Sequence, residues 1–452
     1  MLNNTKSRIL TGIKFTTICT IMLLLSINVE AGFVYNGTLG EQIRAFSSRS
    51  LAMGSTGIAS SEEVLNSLKN PAILGSLPSK LSFQFSGNLT KNDEDRSYPL
   101  YDSFSSYVDN AVYVSNAHLF DKYFAGVAYN FAIKPFNVTT AFNYAPLYDF
   151  NFKYIEEIRN NESADDDNQP KKIAVNTYES SGLLNSYSPA IAVSMERKNK
   201  FFSKISLGLG ISILKGNCDL DSTIIFTKWA KDTMSFTPAD SIPDVNYHVK
   251  RDLSGMRFQG GLIFGLGKRI ELGVSYIQKA EISLDETIEF DSTSSFSSTI
   301  YYPQEIGFGI KYRPRNRWNA TFEFDANYVQ WSDYNTLYDD IIEYSAGIEY
   351  YMPSAVPLRL GFSYKPMARD KEVTLTTFSL GTSVSLSYNF ILNLGCEIGT
   401  MNYSHLDLFP DGYYANENLW DTAYDPLPVN RDKPDNVEDF LTNFMATFSW
   451  KF

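Results

Sequence analysis

The sequence predicts an all-β protein, a transmembrane antiparallel β-barrel of about 14 strands with an N-terminal plug in its lumen. Three observations predict it. The chain ends in a strand with one ring-rich face, it begins with an export signal, and the connectors between its alternating segments run long and short by turns. Phe444, Phe448, Trp450 and Phe452 share one parity, and Thr447, Ser449 and Lys451 share the other. Rings on one face suit the last stave of an outer-membrane barrel, where they sit at the lipid interface. A buried sandwich strand alternates in the same way, so the other two observations decide between them.

Residues 1–31 read as a cleaved secretory signal. Lys6, Arg8 and Lys14 form a positive start, an apolar run from Ile18 to Val29 follows, and Val29-Glu30-Ala31 supplies a small-residue cleavage site. That run is too short for a spanning anchor helix. Cys19 follows Ile18 rather than Gly or Ala, which speaks against a lipoprotein signal. Beyond Ala31 no apolar run is long enough for a transmembrane helix, yet aromatics make up 15% of the chain, with 29 Tyr and 32 Phe. Such a composition fits aromatic girdles around a polar lumen. A net charge of −12 argues against nucleic acid as a partner. Cys218 and Cys396 remain after cleavage, one in a predicted loop and one in a predicted strand, so no disulfide is implied.

Residues 32–80 are predicted to form the plug. They hold Ala52-Met53-Gly54-Ser55-Thr56-Gly57, a short helical stretch at 64–68, and Asn70-Pro71-Ala72. Pro71 fixes its own φ and biases Asn70 toward extended backbone. The Asn70 amide is then placed to satisfy backbone groups left open by a tight turn. Met53, Gly54, Asn70, Pro71 and Ala72 are the expected plug residues, with Asn70-Pro71-Ala72 at its centre. A periplasmic arm preceding the barrel is the alternative.

Residues 81–452 are predicted to form the barrel, with strands at 81–87, 111–119, 123–134, 188–197, 203–215, 254–266, 269–284, 300–313, 317–332, 341–352, 356–366, 374–388, 391–404 and 441–452. The longer connectors are 88–110, 135–187, 216–253, 285–299 and 405–440, with 333–340 and 367–373 in the same series. The short ones include 120–122, 267–268 and 389–390. Long outer loops and short periplasmic turns place both termini in the periplasm. Val138 to Asp149 also looks strand-like, but a fifteenth strand would break this parity, so it is assigned to an outer excursion or to an extension of its neighbour beyond the membrane. In 317–332, Phe322, Phe324 and Tyr328 share one face and Glu323, Asp325 and Asn327 the other. Carboxylates facing lipid are prohibitively costly, so the second face is lumenal.

Three groups of residues carry a family resemblance. Arg49-Ser-Leu-Ala-Met53-Gly54 followed by Asn70-Pro71-Ala72 is one. Tyr302-Pro-Gln-Glu-Ile-Gly307, Trp318 and Tyr328-Val-Gln-Trp331-Ser332 form the second. Tyr344-Ser-Ala-Gly347 and Pro357-Leu-Arg359-Leu-Gly361 form the third. In this order and spacing the chain resembles the FadL/OMPP1/TodX outer-membrane transporters. The family pattern has a second Gly where Ser55 stands and a Gly where Ile73 stands. The resemblance implies a fourteen-stranded barrel with an N-terminal hatch, and passive uptake of hydrophobic compounds such as long-chain fatty acids or aromatic hydrocarbons. A related branch serves protein secretion or acts as a scaffold, and it remains the second reading.

No enzyme is expected. His118, His248 and His405 are far apart, and the chain holds no Gly-x-Ser-x-Gly elbow, phosphate loop or His-Glu-x-x-His. No cofactor or metal is expected. Asp165-Asp166-Asp167 has donors for a divalent ion but reads more simply as a solvated loop tip. For a ligand with an apolar body and a carboxylate, the lumenal cations Arg257, Lys311, Arg359 and Lys365 are the candidates, with Arg257 and Lys365 nearer the outer mouth. They read more simply as a structural charge network with Glu271, Glu305, Glu323 and Asp325. Apolar candidates are Leu100, Tyr101, Phe104, Leu147, Tyr148, Phe150, Leu183 and Leu184, which would also suit a protein-docking surface. The expected location is the outer membrane of a Gram-negative-type bacterium. The expected partners are its lipid and lipopolysaccharide, a hydrophobic small molecule, and the barrel-assembly machinery through Phe452.

Overall fold

A computed structural model describes residues 39–59, 63–163, 170–196, 202–233, 243–290, 292–315, 319–353, 356–409 and 434–452. The signal at 1–31, the first residues of the predicted plug, Asp165–Asp167 and Trp318 lie outside the described residues. Among the described residues no helix is long and apolar enough to cross a membrane. The chain crosses with strands instead.

Strand β1 (Glu41–Gln42) belongs to the N-terminal segment. The wall begins with β2 (Leu81–Tyr101), β3 (Tyr107–Ile133), β4 (Phe136–Asp149), β5 (Phe152–Ser163), β6 (Pro170–Glu196), β7 (Phe202–Phe226) and β8 (Val245–Leu266). It continues through β9 (Ile270–Ile277), β10 (Ala280–Phe290), β11 (Ser292–Tyr302), β12 (Glu305–Tyr312), β13 (Ala320–Val329) and β14 (Ile341–Tyr351). It ends with β15 (Pro357–Pro366), β16 (Thr374–Ser387), β17 (Phe390–His405) and β18 (Asp435–Lys451). Strands β4 and β5 form one interrupted stave. So do β9 with β10, and β11 with β12. The wall is therefore a closed 14-stave antiparallel barrel. Pairing of β18 with β2, from Lys451↔Ser82 to Asn436↔Ser97, closes it.

The alternation read from the sequence sets the two faces. On β18, Phe440, Phe444, Phe448 and Trp450 point outward, while Thr447 and Ser449 are buried inside. On β13, Phe322 and Phe324 face out, and Glu323 and Asp325 face the lumen. Outside, rings replace water contacts with lipid; inside, Glu323 meets Arg49 and Thr56 of the plug, and Asp325 meets Gly57 and Ile58.

The number of staves agrees with the expectation, but two assignments behind it were wrong and cancelled. Residues 111–119 and 123–134 belong to a single strand, β3, and 120–122 is not a turn. Asp121-Lys122 resembles turn chemistry, yet Lys122 is a buried lumenal residue with a carboxylate partner. The excluded stretch Val138 to Asp149 is a full stave member, paired with both β3 and β6. Much of the long connectors is also strand. The hairpin of β2 and β3 turns only at 102–106, and β7 runs on to Phe226. In these extensions the pattern inverts: on β7 the outward face carries Lys215, Asn217 and Asp221, while Leu220, Ile224 and Phe226 join an apolar cluster inside, so an apolar-out rule does not find them.

Candidate functional site

The site is built by residues 39–59 and 63–80 inside the barrel. Helix α1 (Ser48–Ala52) starts at Ser47, whose hydroxyl accepts from Ser50 N at 3.2 Å. It ends at Met53, which is fully buried. Gly54 follows at φ +68°, and a Cβ there would lie 2.3 Å from Phe362 O of β15. Ser55 also takes a left-handed φ, 66°, which accounts for a glycine pair being the usual choice at these two positions. Ile73, the other departure, sits within a 3₁₀ turn and packs on Ile263, so a side chain is accommodated there.

Asn70 caps the 3₁₀ turn Pro71–Ser76 from extended backbone, φ −145° and ψ 104°. Its Oδ1 accepts from Ala72 N at 3.0 Å, and its Nδ2 donates to Ile58 O at 2.7 Å and Val274 O at 3.4 Å. The wall makes room for this turn: a Cβ on Gly261 would lie 1.8 Å from Asn70 Oδ1. Carboxylates of the wall hold the segment on one side. Arg49 bridges Glu323 and Glu349 at 3.0 Å each, and Gly57 N and Ile58 N donate to Asp325 at 2.7 and 3.0 Å. The segment thus fills the turn end of the lumen.

Above it lies a cavity of about 160 Å³. Its apolar lining comes from Ile43, Phe46, Leu51, Leu68, Phe124, Leu147, Leu441 and Met445. Its polar lining includes Glu41, Arg44, Lys122, Asp149, Arg257, Glu305, Glu343 and Lys365. Glu305 gathers three donors: Arg44 at 2.5 Å, Gln42 at 2.7 Å and the more distant Arg257 at 3.8 Å. Arg44 also reaches Glu343 at 2.8 Å. Burial pushes the Glu41 carboxyl of the plug up to about 7, against the pull of Lys365 and Lys122. Next to the cavity, Tyr148 and Tyr302 stack with centroids 4.0 Å apart, and Tyr302 donates to Leu39 O at 2.8 Å.

The wall is unzipped beside this cavity. Pairing of β3 with β4 runs from Ile133↔Phe136 to Ala125↔Tyr144 and stops there. Strand β3 continues to Tyr107 alongside β2, while β4 turns to pair with β1 through Glu41↔Asp149 and Gln42↔Tyr148. The stave breaks at Phe150 and Asn151, opposite Gly182 at φ +134°. A shallow outer pocket opens over this seam, lined by Leu119, Phe120, Asp121, Asn151, Leu183 and Asn185.

The structure brings Arg257, Lys365 and Leu147 to the cavity. Phe150 packs in the apolar cluster beside it with Tyr148 and Leu184. Arg359 lies elsewhere: it is buried toward the turn end against Glu349 at 2.7 Å and Asn393 at 3.1 Å. Phe104 is 87% exposed at the tip of the β2–β3 hairpin, remote from the lumen, with Leu100 and Tyr101 nearby on the same exposed tip. Parity gives a residue's face but not its height, and these strands rise well above the cavity. Sequence reasoning missed Arg44, Lys122, Asp149 and Glu343. A lone basic residue in the middle of strand-like sequence was the available signal for Lys122. No group of three or more His, Cys, Asp or Glu among the described residues is placed to hold a metal ion.

The sequence profile of the outer membrane protein transport protein family (OMPP1/FadL/TodX) matches residues 35–379. No curated protein matches the chain. Among solved structures, a Pseudomonas aeruginosa FadL homologue superposes with a TM-score of 0.60 at 10% identity, covering 91% of this chain and 100% of that one. The P. putida toluene transporter TodX gives 0.54 at 12%, covering 90% and 99%. The Ralstonia pickettii toluene transporter TbuX gives 0.52 at 13%, also covering 90% and 99%.

Proposed function

Since this chain belongs to the outer membrane protein transport protein family (OMPP1/FadL/TodX), we propose that it takes up small hydrophobic molecules passively, through the lumenal cavity and out by the β3–β4 seam. The polar lipopolysaccharide leaflet resists greasy molecules, so a protein route around it has a physical use. One observation carries the reading: the cavity mixes an apolar lining with paired charges and lies directly behind the interruption in the wall. A plug on the turn side favours a sideways exit over an axial pore. The apolar lining suits either an aromatic hydrocarbon or an acyl chain, and Lys365 and Arg257 suit a carboxylate at one end. The ring-rich outer belt, including Trp450 and Phe452, is proposed to contact lipid and lipopolysaccharide, and the β18 end to engage the barrel-assembly machinery.

The test is uptake of radiolabelled oleate and toluene by a transporter-deficient strain expressing the chain. The expected result is a gain for at least one of them over a strain with an empty vector. No gain for either, together with co-purification of secreted proteins, would move the assignment to a secretion barrel.

A further inference from the structure

We propose that Lys122 and Asp149 form a latch that holds the seam between β3 and β4 shut and sets how easily it opens. The proposal rests on the transport reading above and adds to it the residues that control the exit. Lys122 Nζ lies 2.5 Å from the Asp149 carboxylate, and both side chains are more than nine-tenths buried. The pair spans the two strands just where their backbone ladder has ended, since Ala125↔Tyr144 is its last rung. An ion pair here stands in for backbone hydrogen bonds that the wall lacks.

Both partners are held from behind. Lys122 also donates to Thr90 on β2 at 2.8 Å. Asp149 accepts from Asn151 N at 2.9 Å and from Asn151 Nδ2 at 2.6 Å. The pair separates two spaces. Lys122 and Asp149 line the inner cavity, while Asp121 and Asn151, within two residues of them, line the outer pocket. Asp149 is in addition the Cα partner of Glu41, so the plug strand and the latch share one residue. A ligand that shifts β1 in the cavity therefore pulls on the latch. Buried pairs are poor stabilisers relative to apolar contacts, but breaking one locally is strongly felt, which suits a closure that must give way.

The experiment uses the full chain in the outer membrane, with heat-modifiable gel mobility as the check on folding. In a Cys218→Ser, Cys396→Ser background, Lys122→Cys and Asp149→Cys are bridged by a reducible bifunctional methanethiosulfonate. Bridging is expected to abolish uptake of the substrate established for the parent chain, and reduction to restore it. Lys122→Met with Asp149→Asn, which removes both charges, is expected to raise the initial uptake rate by about tenfold. The exchange Lys122→Asp with Asp149→Lys is expected to return it toward the parent rate, and reversal of the bridged block by reduction in a protein of unchanged gel mobility is the outcome that a merely structural role would not produce. Undiminished uptake by the bridged protein, or parental uptake by the folded uncharged pair, overturns the latch. Absence of uptake by the parent chain overturns the transport reading itself.

Discussion

Replacing Asn70 by alanine loosens the plug without unfolding the barrel. The Asn70 side chain accepts from Ala72 N at 3.0 Å and donates to Ile58 O at 2.7 Å and Val274 O at 3.4 Å. Loss of the cap costs about 1 kcal/mol. Leaving the buried Ile58 carbonyl without its donor costs a further ~1–3 kcal/mol, and the long contact to Val274 adds little. The total of roughly 3 kcal/mol raises the open-to-seated ratio of the plug by about two orders of magnitude, at 1.4 kcal/mol per factor of ten. Native-state hydrogen exchange reads this directly. The Ile73 amide, which donates to Asn70 O at 3.1 Å, is expected to lose about a hundredfold in protection, while amides of β16 to β18 keep theirs. Asn70→Asp separates the two contributions. It preserves the cap acceptor but sets a carboxylate against two carbonyls, so it is expected to be at least as damaging as alanine. Unchanged protection at Ile73 in Asn70→Ala, or an equal loss in the wall strands, would refute the reasoning.

Two further outcomes follow from the same geometry. In Gly361→Val, the new Cβ would lie 2.0 Å from Gly54 N and 2.4 Å from Met53 C, so the plug must back away from β15; ion conductance in liposomes is expected to rise while Gly87→Ala, with ordinary contacts only, stays at the parent level. Glu41, raised from 4.5 to about 7 in the seated plug, is protonated more readily there than when released, so its contribution to seating is complete below pH 4.5 and is lost as pH rises through 7. Plug protection measured from pH 4.5 to 8 is expected to fall across that window, and a Glu41→Gln variant that still shows the full fall would exclude Glu41 as its source.

The two faces of the wall were legible because strand parity is a local property: Glu323 beside Phe322 and Phe324 can face only inward. The plug's turn was legible for the same reason, since Pro71 restricts Asn70 within one peptide unit. The seam was not. Lys122 looked like part of a turn because its partner Asp149 is distant in sequence and lay in a stretch set aside to preserve strand parity. Height along the axis was also hidden. Leu147 and Phe104 both seemed near an outer mouth, yet one lines the cavity and the other caps a hairpin far above it. The carboxylates recruited by Arg44 and Arg49 could be counted in advance but not assigned, because strand alternation does not say which stave the plug will touch.

The glycines of the wall bear on how such a protein can diverge. At several of them the space of the missing Cβ is occupied by plug backbone: Gly54 N at Gly361, Ala72 N at Gly208, Ile58 O at Gly273, Met53 O at Gly347 and Ser48 O at Gly395. Backbone atoms are the same whatever residue carries them. At these points the wall constrains the path of the plug rather than its spelling, whereas Arg49 and Asn70 are held by their side chains. A transplanted plug of different sequence will seat if it follows this trace and keeps the residues at positions 49 and 70. One that is nearly identical but displaced by a single residue will not.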